Sequence, residues 1–241
     1  MNGLLKKLYF LILLTLISVS TLADESMSEN EMKKWLDIAE EEYRGSNYVN
    51  AMDAVQKSAE AGYAPAQHFF AFLLWGGSYY EDAFDWYGKS GAQGNYDSYF
   101  EMAQLILNGN VTRGGIQQAM ALLTEAGNNG HSKALESLFR INRNGLTDWP
   151  ANNNNALRWL TKALQEEQPW AMYTWSSILE NGDMNQVPNS EQALYWLSQA
   201  GEAGHIASLD KLVNIYDQGL LGQVSNKSKV KYWKGIRDDL R

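Results

Sequence analysis

A glycine recurs at one fixed place in a module that this chain repeats five times. Each of these glycines lies 26 residues after an alanine, and successive alanines are 32, 36, 37 and 37 residues apart. A period in the thirties is typical of helical repeat arrays, in which each module contacts only its neighbours and the stack offers an extended surface that usually binds other proteins. The alanines are Ala51, Ala83, Ala119, Ala156 and Ala193, and the glycines are Gly77, Gly109, Gly145, Gly182 and Gly219.

The spacing inside each module predicts a pair of helices. Counting the anchor alanine as repeat position 0, positions 0, 3, 4 and 7 are apolar or small, and this spacing places them on one face of a first helix. Four modules have glycine at position 11, where a helix that ends in a left-handed turn favours it, whereas the fourth has Glu167. Positions 15, 19 and 22 repeat the pattern on a second helix. Neither helix can bury its apolar stripe alone, so neighbouring modules must stack.

The two ends of the array differ from the repeats, as capping elements should. We predict a capping helical hairpin over residues 29–62, repeats to about residue 224, and a last helix over 228–240 within one solenoid domain from 24 to 241. The asparagine run at 152–155 is interpreted as a solvated loop. Four tryptophans share repeat position 3 and are expected in the core, namely Trp86, Trp159, Trp196 and Trp233.

The first residues resemble a secretory signal peptide. Lys6 and Lys7 precede an apolar run of 12 residues, and small residues follow up to Ala23. The alternative is an uncleaved anchor, but crossing a bilayer takes about 20 apolar residues. We therefore expect cleavage after Ala23, export to a bacterial periplasm, and no membrane span in the mature chain. The chain has no cysteine, which excludes disulfides and the lipid attachment of a lipoprotein.

The charge of the chain argues against nucleic acid as a partner. Its net charge is −8, and signal cleavage would remove two lysines but no acid. Nucleic acid binding needs a basic face. Residues 24–60 are mainly acidic and residues 225–241 mainly basic. This asymmetry indicates either two solvated caps or a dipolar chain that orients a partner or another copy.

The modules resemble the Sel-one-like repeat, a relative of the tetratricopeptide repeat. The resemblance is carried by an alanine, an aromatic pair, a run of small residues ending in glycine, and a second helix that closes on glycine. Residues 83–94 and 193–204 carry the pattern most fully, and the match extends over about 31–241. The resemblance implies a right-handed α-α solenoid that works as an adaptor or scaffold. In bacteria, it implies roles in envelope signalling, host interaction or the neutralisation of secreted toxins.

In a tetratricopeptide-like stack, one side of each second helix lines the concave groove. By register, these are repeat positions 14, 17, 21 and 24. We predict that they bind an extended segment or a helix of another protein, with an acidic group of the partner pairing with arginine. The alternative is that Phe72 and Phe100 pack between helices as core. The predicted groove residues are Phe72, Trp75, Phe100, Arg140, Arg143, Trp170 and Tyr173.

The sequence offers little support for catalysis, so no catalytic residue, metal or cofactor is predicted. His131 and His205 are two modules apart, too far to share a metal ion. A serine-nucleophile elbow and a phosphate-binding glycine loop are both missing from the sequence. Three functions remain open: an envelope adaptor, a periplasmic immunity protein that blocks a toxic effector such as a lipase, and a weak hydrolase. Carbohydrate binding by Trp75, Trp149 or Trp170 is a further alternative.

Overall fold

The computed structural model describes residues 27–240, and this part of the chain is all-α, as the repeat pattern predicts. It contains twelve α-helices, one short 3-10 helix at Asp183–Asn185 and no strand. Each predicted module consists of two successive helices, and the fold belongs to the right-handed α-α solenoids. The helices are α1 Glu29–Arg44, α2 Tyr48–Glu60, α3 Ala64–Gly76, α4 Tyr80–Gly91, α5 Tyr96–Leu107, α6 Ile116–Asn128, α7 Ser132–Asn144, α8 Asn153–Gln165, α9 Pro169–Asn181, α10 Ser190–Glu202, α11 Ile206–Gln218 and α12 Lys227–Asp239.

The chain divides into two compact units, and the first ends at Ala66. In this unit α1 begins with a capping box, in which the Ser28 side chain and the Glu31 carboxylate each accept a backbone N–H of the other residue. The Ser58 hydroxyl of α2 donates to a backbone carbonyl of α1 at 2.7 Å, and the Lys57 ammonium lies 4.0 Å from the centre of the Trp35 ring. These contacts hold α1 and α2 together as a hairpin.

The second unit begins at Gln67, and its core follows the repeat register. Within it, every residue at positions 0, 4 and 7 of the first helices is buried, and so is every residue at positions 15 and 22 of the second helices. The side chains of adjacent modules meet in this core, as the mutual shielding of amphipathic hairpins requires. The fully buried large side chains of the second unit are Leu74, Leu123, Leu135, Leu138, Leu160, Asn142, Ile178, Leu197, Leu209, Leu212 and Ile215.

The turn between the two helices of a module is left-handed at position 11, as the glycine pattern predicts. The four glycines there have φ between 83° and 98°, and Glu167 takes the same conformation with φ 54°. The missing glycine of the fourth module therefore leaves the turn intact but places a side chain in a region that disfavours it. After the first module, the left-handed residue is Ser78 (φ 67°) rather than Gly77.

Two sequence interpretations are wrong in detail. The asparagine run at 152–155 is not a loop, because α8 begins at Asn153 and the Asn152 side chain accepts the backbone N–H of Asn155 as an N-cap. The tryptophans at position 3 are not all core: Trp159 and Trp233 are buried, but Trp86 and Trp196 are half-buried.

The predicted signal peptide and its cleavage site lie outside the described residues. Among residues 27–240, the helices are too short or too polar to cross a bilayer. The extent of a single domain from 24 to 241 stays a prediction.

Candidate protein-binding surface

The side chains predicted to line a groove lie at the surface in every module of the second unit. We call the residues at positions 14, 17, 21 and 24 of the second helices, from His68 onward, the second-helix face. Each is half-buried or exposed, whereas the neighbouring positions 15 and 22 are buried throughout. The face comprises His68, Phe72, Trp75, Asp97, Phe100, Gln104, Leu107, Lys133, Glu136, Arg140, Arg143, Trp170, Tyr173, Ser177, Glu180, Ala207, Asp210, Asn214 and Asp217.

The two phenylalanines lie at the edge of the core, since Phe100 packs against the buried cluster but neither ring is fully buried. Phe72 and Phe100 are half-buried, and Trp75 has 47% of its surface exposed. On α3 the Phe72 ring is stacked between Phe69 and Trp75, with ring centres 6.0 and 6.1 Å apart. Stacking of this kind orients the rings while leaving part of their apolar surface in water.

Between α5 and α7, an aromatic ring, a carboxylate and a histidine form a connected group. The Phe100 ring is stacked on the His131 imidazole with centres 4.9 Å apart. His131 Nδ1 accepts the backbone N–H of Ala134, and its Nε2 lies 2.8 Å from the Asp97 carboxylate. Since Nδ1 is an acceptor, the neutral imidazole carries its proton on Nε2 and donates it to Asp97. Burial lowers the pKa of His131 although Asp97 favours its charged form.

Between α7 and α9, the indole of Trp170 bridges the two helices. Its Nε1–H donates to the Ser132 hydroxyl at 3.2 Å, and its ring lies 6.1 Å from that of buried Phe139. The Trp149 Nε1–H points towards the Asn142 amide oxygen, at a long 3.5 Å. Trp170 and Trp149 are thus held within the protein, and Trp75 is the most exposed of the three singled-out tryptophans.

The two arginines of α7 have different surroundings. Arg143 forms an ion pair with Asp183, in the loop that follows α9, and its guanidinium lies 5.9 Å from the Phe139 ring centre. Arg140 is exposed and forms no ion pair or hydrogen bond with another side chain of residues 27–240. Of the predicted pair, Arg140 is therefore the one that is available to a partner in the free protein.

Between α9 and α11, the group seen on α5 and α7 recurs. Tyr173 and His205 hold the same repeat positions as Phe100 and His131, and their ring centres are 4.8 Å apart. Glu180 of α9 forms an ion pair with Lys211 of α11. Because such contacts link α5 to α7, α7 to α9 and α9 to α11, the second helices lie side by side and their exposed side chains form one continuous surface.

The polar clusters near the histidines do not expose a nucleophile. The Ser98 hydroxyl lies 2.8 Å from His68 Nδ1, and the Ser208 hydroxyl lies 2.9 Å from His205 Nδ1. Both serines have no exposed surface, so a substrate cannot reach either oxygen. No group of three histidines or carboxylates in residues 27–240 is arranged to hold a metal ion.

The role of repeat position 12 was missed by the sequence interpretation. Asn95, His131 and His205 occupy this position, and each side chain accepts a backbone N–H in the first turn of the second helix that follows. A hydrogen-bond acceptor three residues before a buried small residue is the signal that predicts such caps. The two histidines are therefore helix caps, and the ring of each also packs against an aromatic residue of the preceding module.

Helical hairpins in register with a continuous exposed face define a repeat protein of the interaction-scaffold class. The Sel1 repeat family model matches residues 74–95, 97–131, 133–166 and 171–205, which together exceed half of the chain. The chain therefore belongs to the Sel1 repeat family. Sel1 repeats mediate protein–protein binding, and their fold is typical of non-catalytic scaffolds.

Solved structures with the same fold come from several bacteria. A Sel1 repeat protein from Oxalobacter formigenes is 20% identical, with a TM-score of 0.72 over 89% of this chain and 91% of that chain. A protective antigen of uropathogenic Escherichia coli is 24% identical, with a TM-score of 0.62 over 87% of this chain but only 49% of that chain. An immunity protein from Pseudomonas aeruginosa is 18% identical, with a TM-score of 0.58 over 89% and 83% of the two chains. No curated protein matches the chain.

Proposed function

We propose that the protein is an exported scaffold that binds another protein through the second-helix face. The observation that supports this most is the burial pattern: aromatic and charged side chains keep part of their surface in water along one face of consecutive helices, whereas positions 15 and 22 on the opposite face are buried. Aromatic residues and arginine contribute most to the affinity of protein interfaces. Trp75 and Arg140 offer these groups with much of their surface in water.

The test is capture of the partner with matched variants. Trp75→Ala combined with Arg140→Glu removes an exposed ring and reverses an unpaired charge on the second-helix face. Arg158→Glu makes the same charge change on α8, a first helix, where Arg158 is exposed beside the Trp159 ring. We expect crosslinked capture from a periplasmic extract to be lost in the double variant and kept in the control. Equal capture by both proteins would contradict binding through this face.

A periplasmic immunity protein is the second candidate. Three of the similar solved structures are Pseudomonas aeruginosa proteins, two of them described as immunity proteins, and likeness at 15–18% identity concerns the fold alone. An immunity protein binds one toxin tightly, whereas an adaptor binds several segments weakly. Co-purification with the product of an adjacent toxin gene, such as a lipase, would favour immunity. Saturable binding to several unrelated segments would favour the adaptor.

Export is part of both candidates. The basic start, short apolar run and small residues up to Ala23 support a cleaved signal and a periplasmic location. We expect the intact mass of the protein from the periplasmic fraction to correspond to a chain that starts at Asp24. An uncleaved chain in the membrane or cytoplasmic fraction would contradict this expectation.

The weak hydrolase has the least support. The two serines that lie beside histidines are buried, so a substrate cannot reach either hydroxyl for nucleophilic attack.

A further inference from the structure

Most of the positive charge on the second helices of the second unit is carried by one of them. The helix α7 carries Lys133, Arg140 and Arg143 against one acid, Glu136. The helices α5, α9 and α11 each carry more acids than bases, in a chain with a net charge of −8. A basic stripe on one helix of an acidic protein favours contact with an acidic group of a partner.

Among residues 27–240, one basic residue of this stripe forms an ion pair and two do not. Arg143 forms an ion pair with Asp183, whereas Lys133, at the start of α7, forms none within residues 27–240. Arg140 has no ion pair within residues 27–240, and its guanidinium can bind a carboxylate through two parallel N–H bonds. The structure thus points to Arg140 as the centre of the stripe.

Two aromatic–histidine pairs lie on the two sides of α7, with their aromatic rings at the repeat position of Glu136, one helical turn before Arg140. Phe100 with His131 lies on the α5 side of α7, and Tyr173 with His205 lies on the α9 side. The rings at position 17 are half-buried, so each offers an apolar edge beside the basic helix. Such edges accept apolar or aromatic side chains of a partner.

The spacing of these features defines a partner segment. Neighbouring packed helices are about 8–10 Å apart, so Phe100 and Tyr173 on α5 and α9 are separated by roughly 16–20 Å with α7 midway. A segment in the extended polyproline II conformation advances about 3.1 Å per residue, so it covers this distance in about five or six residues, and its three residues per turn bring every third side chain to the same face. We propose that the protein binds an extended, acidic segment of a partner, with a carboxylate on Arg140 and an apolar side chain about three residues away on either side. This inference rests on the proposed function and names the chemistry of its partner.

The test is selection of a random peptide library on the immobilised full chain. We expect the wild type to enrich peptides that have an acidic residue midway between two apolar residues about six positions apart. Arg140→Glu should replace the central acidic preference by a basic one, and Arg158→Glu should keep the acidic preference. A fluorescently labelled selected peptide should bind wild type about tenfold more tightly than its version with glutamine at the centre, and the difference should shrink at high salt.

The outcomes separate this inference from the proposed function. Peptides without a central acid, an acidic preference that persists in Arg140→Glu, or a library that yields no binder would each overturn the inference. A partner protein whose capture still depends on Trp75 would keep the proposed function in all three cases. Arg140 is exposed and unpaired, so its substitution leaves the fold in place, which a melting temperature of Arg140→Glu equal to that of wild type would check.

Discussion

Gly201 of α10 lies against Trp233 of α12, at a distance that leaves no room for a side chain. A Cβ on Gly201 would stand 3.3 Å from Cζ3 of the tryptophan ring and 2.9 Å from Cδ1 of Leu212. Gly127 has the corresponding contacts with Trp159 and Leu138, two modules earlier. The position-8 glycines therefore let a first helix approach both its own second helix and the first helix of the next module.

The first prediction is that Gly201→Ala destabilises the protein. Alanine in place of a helical glycine gains up to about 1 kcal/mol, but overpacking a buried site costs about 1–3 kcal/mol. Leu212 and Trp233 are buried and cannot move aside freely. We expect a net loss of about 1 kcal/mol in the free energy of unfolding, measured by urea denaturation. Gly235→Ala is the matched control, because a Cβ there meets nothing within 4 Å and should raise stability by about 0.5–1 kcal/mol.

Glu167 provides the second prediction, because it is a non-glycine residue in a left-handed turn. Its φ of 54° matches the position-11 glycines of the other four modules. A left-handed conformation costs an ordinary residue about 1–2 kcal/mol. Glycine avoids this cost but loses more conformational entropy on folding, so the net gain is smaller. We expect Glu167→Gly to stabilise the fold by about 0.5–1 kcal/mol in thermal unfolding. Glu166→Gly, one residue earlier, should destabilise it, since Glu166 forms a 2.9 Å ion pair with Lys162; a gain in both variants would contradict the role of φ.

The repeat register could be predicted from the sequence because it follows from local rules. Glycine at position 11 marks a backbone conformation, and a small residue at position 15 marks close helix packing; both are visible along the chain. The side chains at positions 14, 17, 21 and 24 lie at least partly at the surface, because burying positions 15 and 22 leaves them on the opposite side of the helix. Phe72 and Phe100 could not be assigned by residue type, since phenylalanine occurs both in cores and at interfaces.

The parts that could not be predicted depend on contacts between modules. Arg143 is predicted to pair with a partner, and within the protein it also pairs with Asp183, 40 residues further along the chain. Repeat position does not reveal this contact, because it depends on the direction in which two long side chains extend across neighbouring helices. The asparagine run was read as a loop because asparagine favours turns, although Asn152 ends the loop by capping α8.

That cap gives the third prediction. Asn152, Asn189 and Asn226 hold the same place four residues before successive anchor positions, and each side chain accepts the backbone N–H three residues ahead. Replacing such a cap by alanine typically costs about 1 kcal/mol. We expect Asn152→Ala to lower the free energy of unfolding by this amount in urea denaturation. Asn154→Ala, inside α8, should leave it unchanged or raise it slightly, and equal losses in both variants would contradict the capping role.

The fourth prediction concerns the pH dependence of stability. Burial is the main cause that lowers the pKa of His68, His131 and His205 in the folded protein. A histidine whose pKa is lower when folded stays neutral in the fold while the unfolded chain takes up a proton near pH 6.5. The contribution of these histidines to the free energy of unfolding is therefore fully present above about pH 6.5 and is lost as the pH falls below it. We expect a lower melting temperature at pH 5.5 than at pH 7.5.

His131 should account for an identifiable share of the stability lost at low pH, because its protonation also removes the hydrogen bond by which it caps α7. Its Nδ1 accepts the Ala134 N–H, and a protonated ring no longer has that acceptor. The charged groups that act on it are Asp97, which favours the imidazolium, and Lys133, which opposes it; the Phe100 ring excludes water from one side. Burial and the charge of Lys133 both lower the pKa of His131, whereas Asp97 raises it, and the net result is a lowered pKa.

The variant His131→Asn isolates that share. Asparagine occupies the same repeat position in the second module, where Asn95 caps α5 by accepting the Ser98 N–H. The substitution therefore keeps a cap on α7 and removes the titrating group, although it also removes the stacking with Phe100. We expect the difference in melting temperature between pH 7.5 and pH 5.5 to become smaller in His131→Asn than in wild type, because only His68 and His205 still titrate. An unchanged difference would show that protonation of His131 does not oppose folding.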